Sequence, residues 1–232
     1  MRQFFNSGCF ATVSAMLVSL AGCGGIGYQV NPGEDIIGGT PPSVPSTPNP
    51  PPPPPPPPPS VPPLSTTVQD LSDGHAVGDQ HWYSPQTDGS PIGRFTCVVN
   101  PPQQLAFRAH LSIIVNNEPQ KIPLYLGASP RPPTHCFFAI HTHDSSGRIH
   151  VTPAEPGIFT LGELFQIWGQ PLSNTNVAGF TGLPVEVYVT DNGTTVKVED
   201  TDWAAIELKP HREITIALGT PLTEIPNFIW SD

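Results

Sequence analysis

Ten consecutive prolines, Pro50 to Pro59, divide this chain. Each proline removes a backbone donor and fixes φ, so neither a helix nor a ladder strand can run through them. The conformation left open is polyproline II, at about 3.1 Å per residue, a rod of roughly 30 Å. The surrounding residues, 24–68, are rich in Gly, Pro, Ser and Thr. Such a stretch buries too little apolar surface to offset the entropy of ordering it, and it reads as a disordered proline-rich linker. A spacer is the simplest role for it; recognition by a proline-binding module is the alternative. The globular part is expected over 69–232, roughly 160 residues and one ordinary domain.

The residues before the linker have the marks of an export signal over 1–22. Arg2 supplies positive charge, and Phe10 to Leu20 is an apolar run too short for a membrane span of about 20 residues. The run ends in Leu20-Ala21-Gly22-Cys23, which resembles a bacterial lipoprotein box with Cys23 as the lipidated residue. Acyl chains on one cysteine contribute roughly 0.8 kcal/mol per buried methylene, enough together for a lasting membrane anchor. The resemblance implies a cell-envelope protein. In a Gram-negative cell, Gly24 after the cysteine resembles outer-membrane sorting. An ordinary secretory signal cut near Ala21 is the other reading.

The formal charge is −10 with 12% charged residues. That argues against nucleic acid as a partner and against an electrostatic hold on anionic lipid. Of four cysteines, Cys9 lies in the signal and Cys23 is the lipid site. Cys97 and Cys136 remain, an even pair in an exported chain, for which a disulfide is the default. The alternative is a thiolate metal ligand beside His135. Both methionines, Met1 and Met16, fall in the signal. A thioether copper(I) site is therefore excluded.

Chemistry concentrates in residues 136–151, C-F-F-A-I-H-T-H-D-S-S-G-R-I-H-V. Asp144 to Gly147 is a turn cluster. A loop over 144–147 sets His143 opposite Arg148 and His141 opposite His150. Residues two apart on a strand share a face, so His141, His143 and His150 converge. Phe107 to Val115 alternates, placing Arg108, His110, Ser112 and Ile114 on one face. If this strand neighbours the hairpin, His110 joins the histidine face. Asn116-Asn117 is a hairpin turn signal, with Gln120 to Leu126 returning. His75 and His81 lie in an irregular lead-in over 69–95 and read as exposed.

Thr160 to Gly169 is expected to be a helix. Thr160 is an N-cap, Glu163 closes a capping box, and Leu161, Leu164, Phe165 and Trp168 form one apolar stripe. Gly169 stands where a C′ glycine belongs, ahead of Pro171. Strands are expected over 185–189, 194–198, 204–208 and 214–218, with a turn at Asp191-Asn192-Gly193 and His211 solvated in a loop. The fold class is α+β: a mainly antiparallel sheet of six to eight short strands with one short capping helix.

Three segments, A-H-L-S-I-I-V-N-N at 109–117, the 136–151 stretch and F-T-L-G-E-L-F-Q-I-W-G-Q-P-L-S at 159–173, resemble a family of uncharacterised bacterial exported proteins. The family pattern reads H-x-H-x-H-L-x-I-x-V-N-G, L-H-T-H-D-x-S-G-x-I-H and F-T-L-G-x-F-F-x-x-W-G-Q-P-L. The likeness covers roughly residues 97–220 and is carried by these segments; it implies a fold and a site rather than an activity. It also implies cysteines at Cys97 and Cys136, and a matched set of His110, His141, His143 and His150. This chain departs at Arg108 and Ala106, where the pattern has two further histidines.

Imidazoles from adjacent strands suit zinc, copper(II) or nickel. His110, His141, His143 and His150 are the candidate metal ligands, with Asp144 as turn former or as a partner orienting an imidazole. Arg148 opposite His143 disfavours a cation unless it turns away. A hydrolase using His143 and Asp144 is a second reading. H-x-H-D resembles the metallo-β-lactamase pattern but lacks its following Asp-His, and no G-x-S-x-G or H-E-x-x-H appears. A structural or interaction domain on a proline stalk, without metal, is a third.

Overall fold

Alternation of apolar and polar residues builds this molecule's centre. A computed structural model describes residues 52, 61–71, 77–85, 87–129 and 135–230. The signal, Cys23, nearly all of the linker and His75 lie outside the described residues. The strands are β1 (Leu64–Asp70), β2 (Phe107–Val115), β3 (Glu118–Gln120), β4 (Ala128–Ser129), β5 (Cys136–Phe137), β6 (Ile140–His141) and β7 (Arg148–Val151). Helix α1 (Leu161–Trp168) follows, then β8 (Leu172–Ser173), β9 (Asn176–Val177), β10 (Phe180–Thr181), β11 (Val185–Asp191), β12 (Thr194–Lys197), β13 (Glu213–Leu218) and β14 (Ile225–Ile229). The main sheet runs β12-β11-β13-β2-β7-β6, with β3 also on β2. Its pairings are antiparallel except β13 with β2.

The two faces of this sheet differ in kind. Ala109, Leu111, Ile113, Ile149, Val151, Val187, Val189, Ile214, Ile216 and Leu218 make one face, and all are buried. It joins one core with Leu161, Leu164, Phe165 and Trp168 of α1. The helix begins at Thr160, whose hydroxyl accepts from Glu163 N while Glu163 caps Thr160 N in return, and it ends at Gly169 with φ 71°. Gly162 lets α1 close on a single 3-10 turn at Trp203–Ala205: a Cβ there would lie 2.7 Å from Ala204 Cβ. The opposite face is polar, with Glu213, Thr215, His110, Ser112, Tyr188 and Thr190. A two-stranded parallel ribbon, β1 with β14, is packed on this side through Leu64, Ile225, Tyr188 and Ala217.

The two hairpin turns marked by Asn116-Asn117 and Asn192-Gly193 form as their sequences require. Asn116 and Asn117 have φ of 50° and 69°, and Asn192 and Gly193 have 50° and 75°, the left-handed pair that matches strand twist. Cys97 and Cys136 form the disulfide, across 39 residues, so neither is a thiolate ligand. Other expectations are corrected. Strand β1 (Leu64–Asp70) reaches into the stretch read as linker, where it pairs in parallel with β14. The return after Asn117 is only Glu118–Gln120, and the chain turns at 124–127. Where a strand is expected over 204–208, residues 203–205 form a 3-10 turn, closed by Ala205 N on Asp202 O and Ile206 N on Trp203 O. β14 had no counterpart in the sequence reading; Pro226 lies within it and breaks the strand signal.

Candidate functional site

The β6–β7 hairpin carries the site. Its register sets His141 opposite His150, as the spacing predicts. Asp144 shapes the turn: its Oδ1 accepts from Ser146 N at 2.8 Å and from the Ser146 hydroxyl. Its other oxygen stands 3.5 Å from Arg148. Asp144 is thus a turn former, and its carboxylate is committed to Ser146 and Arg148 rather than to an imidazole. Gly147 has φ 90°, and a Cβ there would come within 2.3 Å of Leu111 O. Only glycine allows the hairpin to lie this close to β2.

Three imidazoles stand together. The rings of His143 and His150 stack at 4.1 Å and 14°, and His141 lies 4.9 Å from His143 and 5.6 Å from His150. His141 Nε2 and His143 Nε2 are 3.0 Å apart. His141 Nδ1 donates to Phe138 O at 2.8 Å. A carbonyl only accepts, so the proton sits on Nδ1 and Nε2 presents its lone pair toward His143. Burial lowers the His141 pKa to about 4; the bond to Phe138 O opposes this and the neighbouring His143 adds to it. Burial and the two neighbouring histidines push His150 down to about 3, and burial also lowers His143. All three are neutral at neutral pH and carry available lone pairs.

As they stand, no three His, Cys, Asp or Glu side chains among the described residues are disposed to hold a metal ion. The stacking explains this: the parallel rings of His143 and His150 aim their lone pairs side by side rather than at one point. His143 is the exposed member of the trio and His141 is buried.

His110 is placed on the same sheet face but in a different setting. β7 lies between β2 and β6, so His110 pairs with Arg148 and not with a histidine. Its ring packs on Phe228 and Trp230, and its Nε2 bonds Ser146 O at 2.8 Å. The trio therefore does not include it. His81 is exposed and stacks on Phe180, and exposed His211 stacks on Trp230. Arg108 lies opposite His150; together with Arg148 it makes the surroundings cationic, in part offset by Asp144.

The sequence reading missed Glu213, the register neighbour of His110. Its signal was a charged residue opening a strand, E-I-T-I-A-L, in which Thr215 is the one other polar side chain. No protein-family model, curated protein or solved structure matches this chain. Among the described residues, no helix is long and apolar enough to cross a membrane.

Proposed function

We propose that this chain is a lipid-anchored envelope protein of the bacterial exported type, held at Cys23 and spaced by its proline stalk. Its domain binds a divalent transition metal, zinc, copper(II) or nickel, through His141, His143 and His150. The observation that carries the reading is His141. Its Nδ1–H is fixed on a backbone carbonyl and its Nε2 lone pair is turned to a second imidazole at 3.0 Å. Ligating histidines are commonly oriented in this way, with the distal N–H held so that the other nitrogen is free. His143, being exposed, can rotate from its stack on His150 so that three nitrogens converge. Because all three imidazoles are already neutral, binding displaces few protons near neutral pH. His110 is not one of the ligands.

The test is titration of the full chain with zinc, copper(II) and nickel, followed by calorimetry and elemental analysis. One equivalent is expected to bind, and to be lost in the His141→Ala/His150→Ala double variant while the fold is retained. Bound metal should raise the melting temperature, and chelator should reverse the shift. Absence of binding for all three ions would return the trio to a structural role and favour an interaction domain on a stalk.

A further inference from the structure

The polar face also holds a small cavity, of about 150 Å³, lined by residues of β11, β13 and β14. None of the three clustered histidines lines it. Thr190 and Glu213 are register partners on β11 and β13, so their side chains stand side by side on this face. They are 5% and 7% exposed. Asn192 and Gly193 line the cavity as well and are exposed, so it reaches the surface at the β11–β12 turn.

Its walls offer acceptors. Glu213 Oε1 accepts from Trp230 Nε1 at 3.1 Å, and Oε2 has no partner. Buried polar atoms are rarely left alone. His110 Nδ1 and Arg148 Nε are unpartnered too, but neither residue lines this cavity. Asn227 gives its Nδ2 to Ser65 O at 3.1 Å, which leaves Oδ1 for a ligand. The Thr190 hydroxyl is bonded to that of Thr195 at 2.8 Å and keeps a lone pair. Arg212, the cation next to Glu213 in sequence, is held by Asp191 at 2.9 Å. The remaining walls are rings: Phe228, and Trp230 with His211 stacked on it at 4.8 Å.

We infer that this cavity binds a primary alkylammonium group, held by the Glu213 carboxylate with Asn227 and Thr190 as further acceptors and its carbon chain against Trp230 and Phe228. The chemistry of the walls selects the class. A primary ammonium carries three donors and no acceptor, which matches a wall of acceptors. One carboxylate balances one positive charge, whereas a calcium ion takes six to eight oxygens. The carboxylate stands without the further His, Cys, Asp or Glu ligands that a transition metal needs. An indole face attracts an organic cation. At roughly 30 Å³ for each water in the liquid, the volume suits a short amine. Burial pushes the Glu213 carboxyl up to about 7, and a bound ammonium would hold it ionised.

Titration of the full chain with ethylammonium chloride at about pH 8, where amine and carboxyl are both charged, tests this. Saturable binding at about millimolar is expected, near the limit for so small a ligand. Nuclear Overhauser contacts should run from the ethyl protons to the Trp230 ring. Glu213→Gln keeps an acceptor for Trp230 but removes the charge, and affinity should fall by about tenfold or more. Tetramethylammonium, which has no N–H, should bind at least about tenfold more weakly than ethylammonium. Nα-acetyl-lysine amide separates the sources. Its binding would point to an amino group carried on a protein side chain, and its exclusion to a free amine. No saturation by either amine up to about 100 mM would overturn the proposal and leave a water-filled cavity. Unchanged affinity in Glu213→Gln, or equal binding of tetramethylammonium, would overturn it as well. Should the variant fail to fold, the contacts to Trp230 in the parent decide, and their absence would sink the idea.

Discussion

The same strands present an aliphatic surface to α1 and a polar one to the β1–β14 ribbon. On the helix side the sheet contributes only aliphatic side chains, and its energy comes from area and close packing. On the ribbon side, His110, Glu213, Thr190 and Thr215 are buried as well, but each must be satisfied atom by atom. Stability is thus concentrated on one face and chemistry on the other. The histidine trio lies at the hairpin end of the polar face.

Mutations can separate the two. Phe165→Ala, at 1% exposure on the aliphatic side, should cost about 3–5 kcal/mol and lower the melting temperature most. Replacing Cys97 and Cys136 by serine opens a loop of 39 residues and should cost roughly 2–4 kcal/mol, read by denaturant midpoint. Acid should then act through the polar face. His141 has a folded pKa lowered to about 4 from 6.5, so its contribution is complete above 6.5 and is lost as pH falls through 4. On the order of 3 kcal/mol disappears over that window. His141→Gln should flatten the acid limb of a stability–pH curve, whereas Phe165→Ala should shift it without changing its shape. Thr160→Ala removes the helix cap at a cost of about 1 kcal/mol. Least of all, His143→Ala at an exposed position should move stability within about 0.5 kcal/mol while abolishing metal uptake. A large loss of stability there would mean that the stack is structural.

Local signals were the legible ones. The Thr160–Glu163 box, the Asn116-Asn117 and Asn192-Gly193 turns, and the alternation of Phe107–Val115 need only nearby residues, and they appear as expected. The trio was legible for the same reason, since a tight hairpin fixes register across a few residues. The ribbon was not. β1 is a polar, half-exposed strand at the end of a proline-rich stretch, and β14 contains a proline. Each becomes a strand through the other. Placing His110 required knowing that β7, and not β6, borders β2, which no spacing within one strand records. Glu213 became meaningful only once β13 paired with β11 and Trp230 reached it from beyond β14.

The ribbon also sets an order of assembly. Asn227 reaches the carbonyl of Ser65 across 162 residues. β1 leaves the ribosome among the earliest parts of the fold, and its partner is among the last. Contacts this distant in sequence form late and slow folding, since the loop between them must first close. Until then the early strand waits with an open edge, and its few apolar side chains and flanking prolines keep that wait safe from mispairing.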